Sequence, residues 1–252
     1  MASKDTRSGA MELEGYGTDK IRNHYMPWYD RVFSEFTGRP VKVLELGVKE
    51  GESLKLWRDY FPRGNISGID VKLPNGVDLG DRVELFCGSQ GDRAFLSRVA
   101  DKVAPDGFDV IIDDASHLGA LTRISFWHLF QNHLRAGGVY AIEDWGTGYW
   151  EEWPDGRRLD LAQYEHWQWA AQPLWMKLLH RLGWPTKPVS PKTPMPCHSH
   201  GMVGFVKQLI DEQGASDVTK RRLGGVPERE SMFDSVLVTP NIVFVIKRAD
   251  VA

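Results

Sequence analysis

The sequence predicts an α/β domain of the Rossmann-like, doubly wound kind, and three observations predict it. Short apolar runs ending in glycine or an acid recur between residues 41 and 144. Amphipathic stretches separate them, so strand and helix alternate at intervals of roughly 20 to 30 residues, the pattern of right-handed βαβ units on a parallel sheet. The chain then departs from that pattern and closes on two apolar runs joined by a turn, a C-terminal antiparallel hairpin.

The elements follow in order. Residues 16–36 open with a turn and enter an aromatic-rich helical stretch that Pro27 starts or interrupts. VKVLELG at 41–47 reads as a buried parallel strand. In 52–61, Leu54, Trp57, Tyr60 and Phe61 fall at helical spacing. Residues 66–70 form a second strand, ending at Asp70, and 83–87 a third, followed by Gly88-Ser89-Gln90. A helix is expected over 92–103, a strongly apolar fourth strand over 108–114, and a helix over 120–134. Gly137 and Gly138 are expected to stop that helix before a fifth strand at 139–144. Residues 235–247 give two strands turning through Thr239-Pro240-Asn241.

The 252-residue chain carries a net charge of −3, which argues against a dedicated nucleic-acid binder. It has no run of about 18 apolar residues, so no membrane span is expected. Residues 1–15 are polar and mixed in charge, without the apolar core of a secretory signal, and read as a flexible tail. Cys87 and Cys197 stand far apart and make neither a disulfide framework nor a zinc site, so a cytoplasmic location is expected. Residues 16–252 then form one domain, with 145–201 as a lid over the carboxyl ends of the strands. That segment holds seven of the ten tryptophans and a proline series from Pro185 to Pro196. Tyr164, Trp167, Ala171, Leu174, Trp175, Leu178 and Leu182 share one helical face, on which Trp167 and Trp175 are expected to be core.

In a doubly wound sheet, ligands sit at the carboxyl ends of the strands. The first such end, ELGVKEG at 45–51, lacks the G-x-G-x-x-G fingerprint that brings backbone against a pyrophosphate. A cofactor without phosphate needs a close glycine, acids for an amine and a ribose, and a slot for a purine. Glu45, Gly47, Asp70, Ser89 and Gln90 meet that list, and S-adenosylmethionine (SAM) fits it. An acid closing the second strand also suits a nicotinamide cofactor, which stays open as an alternative.

Asp113-Asp114-Ala-Ser-His117 follows the fourth strand, and Glu143-Asp144 the fifth. If the two strands are neighbours, Asp114, Glu143 and Asp144 converge, and clustered carboxylates repel unless a cation or protons intervene. All-oxygen ligation selects a hard ion, Mg²⁺ or alternatively Mn²⁺ or Ca²⁺. His117 is close enough to act as a base, with ligand or structural roles as alternatives. The plainer reading makes these acids helix caps or ion-pair members. His198 and His200 are rival bases or acceptor contacts, and Trp145, Trp150 and Trp153 are placed to line an acceptor pocket.

YGTDK at 16–20, VLELG at 43–47, GESLKLWRDYFPRG at 51–64, GSQGD at 88–92, IIDDASH at 111–117 and the run through Ile142-Glu143-Asp144 resemble SAM- and Mg²⁺-dependent sugar O-methyltransferases, those of macrolide sugars and of mycobacterial methylmannose polysaccharides or glycolipids among them. The resemblance covers roughly residues 16–150. It implies a class I methyltransferase fold with a seven-stranded, mostly parallel sheet. It also implies Asp114, Glu143 and Asp144 as metal ligands, His117 as general base, and a SAM site that adds Thr18 and Asp113 to the residues above. A methyl group would pass to a hydroxyl of a sugar or glycoside, a catechol-like acceptor being the alternative. A small-molecule or oligosaccharide acceptor and a homo-oligomer, most simply a dimer, are the expected partners.

Overall fold

The computed structural model describes residues 6–158, 173–184 and 199–249. Seven strands of these residues form one sheet: β1 Lys42–Leu46, β2 Asn65–Asp70, β3 Val83–Cys87, β4 Phe108–Asp113, β5 Leu134–Glu143, β6 Phe233–Val238 and β7 Ile242–Lys247. Their order is β3-β2-β1-β4-β5-β7-β6. The first five are parallel, whereas β7 enters antiparallel between β5 and β6. The order reverses between β1 and β4, which is where such a sheet opens a ligand crevice.

The edge strands β3 and β6 are only partly buried, whereas both faces of the central strands are covered, so β1, β4 and β7 read as mainly apolar runs. Their side chains still divide with period two. Leu44, Leu46, Phe108, Ile111, Tyr140 and Ile142 pack on one face, against helices α4 (Arg93–Val103), α5 (Gly119–Asn132) and α7 (Gly201–Gln213). Val43, Val110, Ile112, Val139 and Ala141 pack on the other, against α2 (Met26–Phe33) and α3 (Glu52–Tyr60). Before α2, the short α1 spans Asp19–Arg22. Among the described residues no helix is long and apolar enough to cross a membrane.

Three expectations need correction. The helix α5 ends at Asn132, with His133 as its cap, and Gly137-Gly138 lie inside β5. The glycines mark an irregularity, with Gly137 at φ 73° and a register shift between Phe108 and Val110, rather than a helix stop. The expected loose tail is docked over its described part. Ser8 is buried and donates through its backbone N–H to Asp30 at 3.0 Å, and Arg7 Nε donates to the Tyr60 carbonyl at 2.9 Å. On helix α6 (Leu174–Arg181) the apolar residues are exposed among the described residues, and Trp175 is 61% exposed, not core. Periodicity marks a face without saying what covers it. Tyr164, Trp167, Trp169, Pro185, Cys197 and His198 lie outside the described residues.

Gly47, the residue after β1, has φ 91° and sits where a Cβ would come 2.1 Å from the Asp114 carbonyl oxygen. Only glycine lets the β1 and β4 loops approach so closely. Gly47→Ala is therefore expected to cost about 2 kcal/mol or more and to lower Tm by roughly 4–8 °C, measured by calorimetry.

Candidate functional site

A cleft of about 990 Å³ opens at the reversal point, lined by Thr18, Gly47, Asp70, Ser89 and Gln90 along one stretch and by Asp114, His117 and Asp144 at its floor. In-register pairing sets this up. Leu46 lies beside both Ile69 and Asp113, and Asp113 beside Ile142, so the residues that follow each strand emerge together.

Asp70 braces the first wall of the cleft. Asp70 Oδ2 accepts from the Val48 and Lys49 N–H groups at 2.7 and 3.0 Å, and Oδ1 from Lys72 N–H at 3.0 Å. Burial alone would raise its pKa, but backbone N–H donors outweigh it and hold it below the usual carboxylate value. Gln90 is buried; its amide donates to Asp113 at 3.2 Å, and its Oε1 accepts from the Ser116 N–H at 3.0 Å. Ser89 is exposed and accepts from the Gly91 N–H, while Thr18 caps α1.

Two expected cofactor residues lie behind this wall. Glu45 is fully buried and accepts from Ser53 Oγ at 2.7 Å and Trp57 Nε1 at 3.0 Å. Asp113 is 2% exposed and accepts from Ser125 Oγ at 2.7 Å and Tyr140 Oη at 2.9 Å. Burial pushes both carboxyls up, and neither lines the cleft. They shape the site from within.

At the floor, the ligand atoms of Asp114, His117 and Asp144 all lie within 4.8 Å of one another. His117 Nε2 is 3.7 Å from Asp114 Oδ1 and 3.9 Å from Asp144 Oδ2. These side chains are 21%, 12% and 26% exposed, so the cluster faces the cleft. The two carboxylate oxygens, with access to solvent, fit a hard divalent cation, whereas the imidazole beside them is a softer donor suited to proton transfer. His117 and Asp144 both hold φ 51°, an uncommon conformation for non-glycine residues that concentrates at functional sites.

Glu143, expected as a third ligand, is not brought into this group. It is 1% exposed, its Oε1 lies 2.7 Å from Lys20 Nζ, and it accepts from Tyr29 Oη. Burial, then repulsion from Asp114, pushes its carboxyl up. Lys20 itself escaped sequence reading. Its ammonium is fully buried, 2.6 Å from Asp114 Oδ2 and 3.4 Å from Glu45 Oε1. Burial works against its charge, but the attraction of Asp114, Glu143 and Glu45 outweighs burial and holds its pKa well above the ordinary lysine value. The only sequence signal was its place in YGTDK, just after the capping Thr18.

The expected acceptor residues separate. Trp153 packs edge-on against the His117 ring, with centroids 5.3 Å apart, and Thr147 Oγ1 donates to the His117 carbonyl. Trp145 Nε1 donates to the Thr239 carbonyl and braces the hairpin turn. Trp150 is 52% exposed. His200 is exposed at the N-cap of α7 and does not line the cleft.

The sheet order, the antiparallel final hairpin and the cleft at the β1/β4 reversal define a class I methyltransferase fold. The solved structure of MycE methyltransferase from the mycinamycin biosynthetic pathway, in complex with Mg, SAH and mycinamycin VI, superposes with a TM-score of 0.62 at 30% identity, covering 89% of this chain and 50% of that one. The chain is similar in sequence to sugar O-methyltransferases. Mycinamicin VI 2''-O-methyltransferase of Micromonospora griseorubida is 43% identical over 133 residues, which is 50% of this chain and 32% of that protein. The 8-demethyl-8-(2-methoxy-alpha-L-rhamnosyl)-tetracenomycin-C 3'-O-methyltransferase of Streptomyces olivaceus is 42% identical over 132 residues, 50% of this chain and 33% of that protein. The matched stretch thus spans about a third of these curated relatives, and the chain about half of the solved one. No family model matches the chain.

Because the folded pKa of Asp70 lies below its unfolded value of about 3.9, its contribution to stability is complete above that pH and is lost as pH falls through the folded value. The stability difference between wild type and Asp70→Asn should therefore shrink as pH is lowered from about 6 to about 3, read by urea unfolding.

Proposed function

We propose that the protein is a SAM-dependent O-methyltransferase acting, with a divalent cation, on a hydroxyl of a sugar or glycoside. One observation carries the reading: Asp114, His117 and Asp144 converge on the floor of a cleft at the sheet's reversal point. The likeness to sugar O-methyltransferases supports the reaction class. When bound, SAM supplies an electrophilic methyl group and the cation, Mg²⁺ in the first instance, lowers the pKa of the acceptor hydroxyl.

The chain's own residues do the rest. Asp114 Oδ1 and Asp144 Oδ2 are assigned to hold the cation. His117 Nε2 faces both and takes the hydroxyl proton as general base. Trp153 fixes the imidazole plane from one side and excludes water there. The Asp70-anchored glycine loop, Ser89 and Gln90 orient the methyl donor, which converts the reaction into one between held partners. Residues 145–201 act in this proposal as the acceptor-binding lid, supported by the packing of Trp153 on the His117 ring and by the exposed Leu174, Trp175 and Leu178 of α6. The assembly assigned is a cytoplasmic homo-oligomer, simplest as a dimer, measurable by sedimentation velocity.

Methyl transfer from SAM to a panel of glycosides, read by mass spectrometry, should stop in excess EDTA and return with Mg²⁺; full turnover in EDTA would refute the cation's role. His117→Ala should lower kcat by about 10²–10⁴-fold while calorimetry finds SAM affinity unchanged.

A further inference from the structure

The two carboxylates at the cleft floor each present one oxygen outward and one inward. The outward pair is Asp114 Oδ1 and Asp144 Oδ2, the atoms that face His117 Nε2. The inward pair is held by one short stretch of chain: Lys20 Nζ lies 2.6 Å from Asp114 Oδ2, and Tyr25 Oη donates to Asp144 Oδ1. We infer that Lys20 and Tyr25 are positioning residues for the divalent-cation site, fixing the inner oxygens so that the outer ones converge beside His117. The inference rests on the reading of Asp114 and Asp144 as cation ligands and extends it to residues that touch no reacting atom.

The local fold is built to bring these two donors together. α1 ends at Arg22, and the turn through Asn23 and His24 brings the Tyr25 N–H back onto the Lys20 carbonyl at 2.9 Å. His24 holds φ 59° in that turn, a left-handed conformation uncommon outside glycine. Lys20 and Tyr25 are both buried, yet neither lines the cleft, so their polar ends serve the acids and not a ligand. Tyr29, one turn further on, donates to Glu143. Three donors from residues 20–29 thus reach three acids at the ends of β4 and β5. Groups behind metal ligands set ligand orientation, and their loss typically weakens metal binding by about 10- to 100-fold.

The test uses the full chain and Mn²⁺ as probe, with free Mn²⁺ counted by electron paramagnetic resonance. Tyr25→Phe removes one hydroxyl and keeps the ring. Lys20→Met removes the ammonium and keeps much of the stem. Each should raise the Mn²⁺ dissociation constant about tenfold or more, while SAH affinity by calorimetry stays within about twofold of wild type. A retained SAH affinity separates lost positioning from general loosening of the fold. If Lys20→Met fails to fold, Tyr25→Phe decides alone. Wild-type Mn²⁺ affinity in the folded variants overturns the inference and leaves the cation reading standing. A wild-type protein that takes up no Mn²⁺ overturns both.

Discussion

The site depends on one buried ammonium. Lys20 is enclosed with Glu45, Asp114 and Glu143, which come from the ends of β1, β4 and β5. Removing charged groups from water costs several kcal/mol per ion, and attraction offsets this only where geometry is good and the other lone pairs are bonded. That condition is met here. Ser53 and Trp57 donate to Glu45, and Tyr29 donates to Glu143. The lysine arrives from a segment that precedes the whole sheet in the chain. Docking of residues 18–29 therefore brings the one ammonium that Glu45, Asp114 and Glu143 share.

With that centre in place, the acids at the strand ends divide into two jobs. Glu45, Asp70, Asp113 and Glu143 spend their oxygens on protein donors: side chains of α3, loop amides, the Gln90–Ser125–Tyr140 group, and Lys20 with Tyr29. Asp114 and Asp144 keep one oxygen each for the cleft. The rigidity of the first set makes the second usable, since a carboxylate serves as a ligand only if its orientation is decided in advance. The left-handed conformations at His117 and Asp144 fit this arrangement. Each costs on the order of 1–3 kcal/mol and persists only where surrounding bonds over-determine it.

Most of the sheet was legible because buried parallel strands are apolar runs, and the order in which they end exposes the acids. The hairpin was legible from Thr239-Pro240-Asn241, where proline and asparagine leave few alternatives to a turn. Gly137-Gly138 misled, since the same pair marks a helix stop or a strand irregularity, and the choice rests on pairing with β4. The direction of each acid was hidden for a related reason. Asp113 falls on the α5 face because it follows Ile112 by one, and it meets Ser125 and Tyr140 there, whereas Asp114 has already left the strand. Lys20, Tyr25 and Tyr29 were least legible: a lysine reads as surface until three acids from distant strands are seen to need it.

The sign of the cleft bears on which donor it accepts. Six acids line it, Asp19, Glu50, Glu52, Asp70, Asp114 and Asp144, against three cations, Arg22, Lys49 and Lys72, while Lys20 is turned away behind the floor. Between unit charges about 4 Å apart, interaction in a partly buried setting is on the order of 4 kcal/mol, attractive or repulsive by sign alone. A dinucleotide would bring a pyrophosphate into this negative wall without the glycine-rich helix N-terminus that normally receives it. A sulfonium donor brings a positive charge instead, and its amine and ribose hydroxyls are groups that carboxylates accept from. With Asp114 and Asp144 assigned to the divalent cation, the acids that remain, Asp19, Glu50, Glu52 and Asp70, barely outnumber Arg22, Lys49 and Lys72, so the missing phosphate loop is the property of the cleft that favours a phosphate-free cofactor.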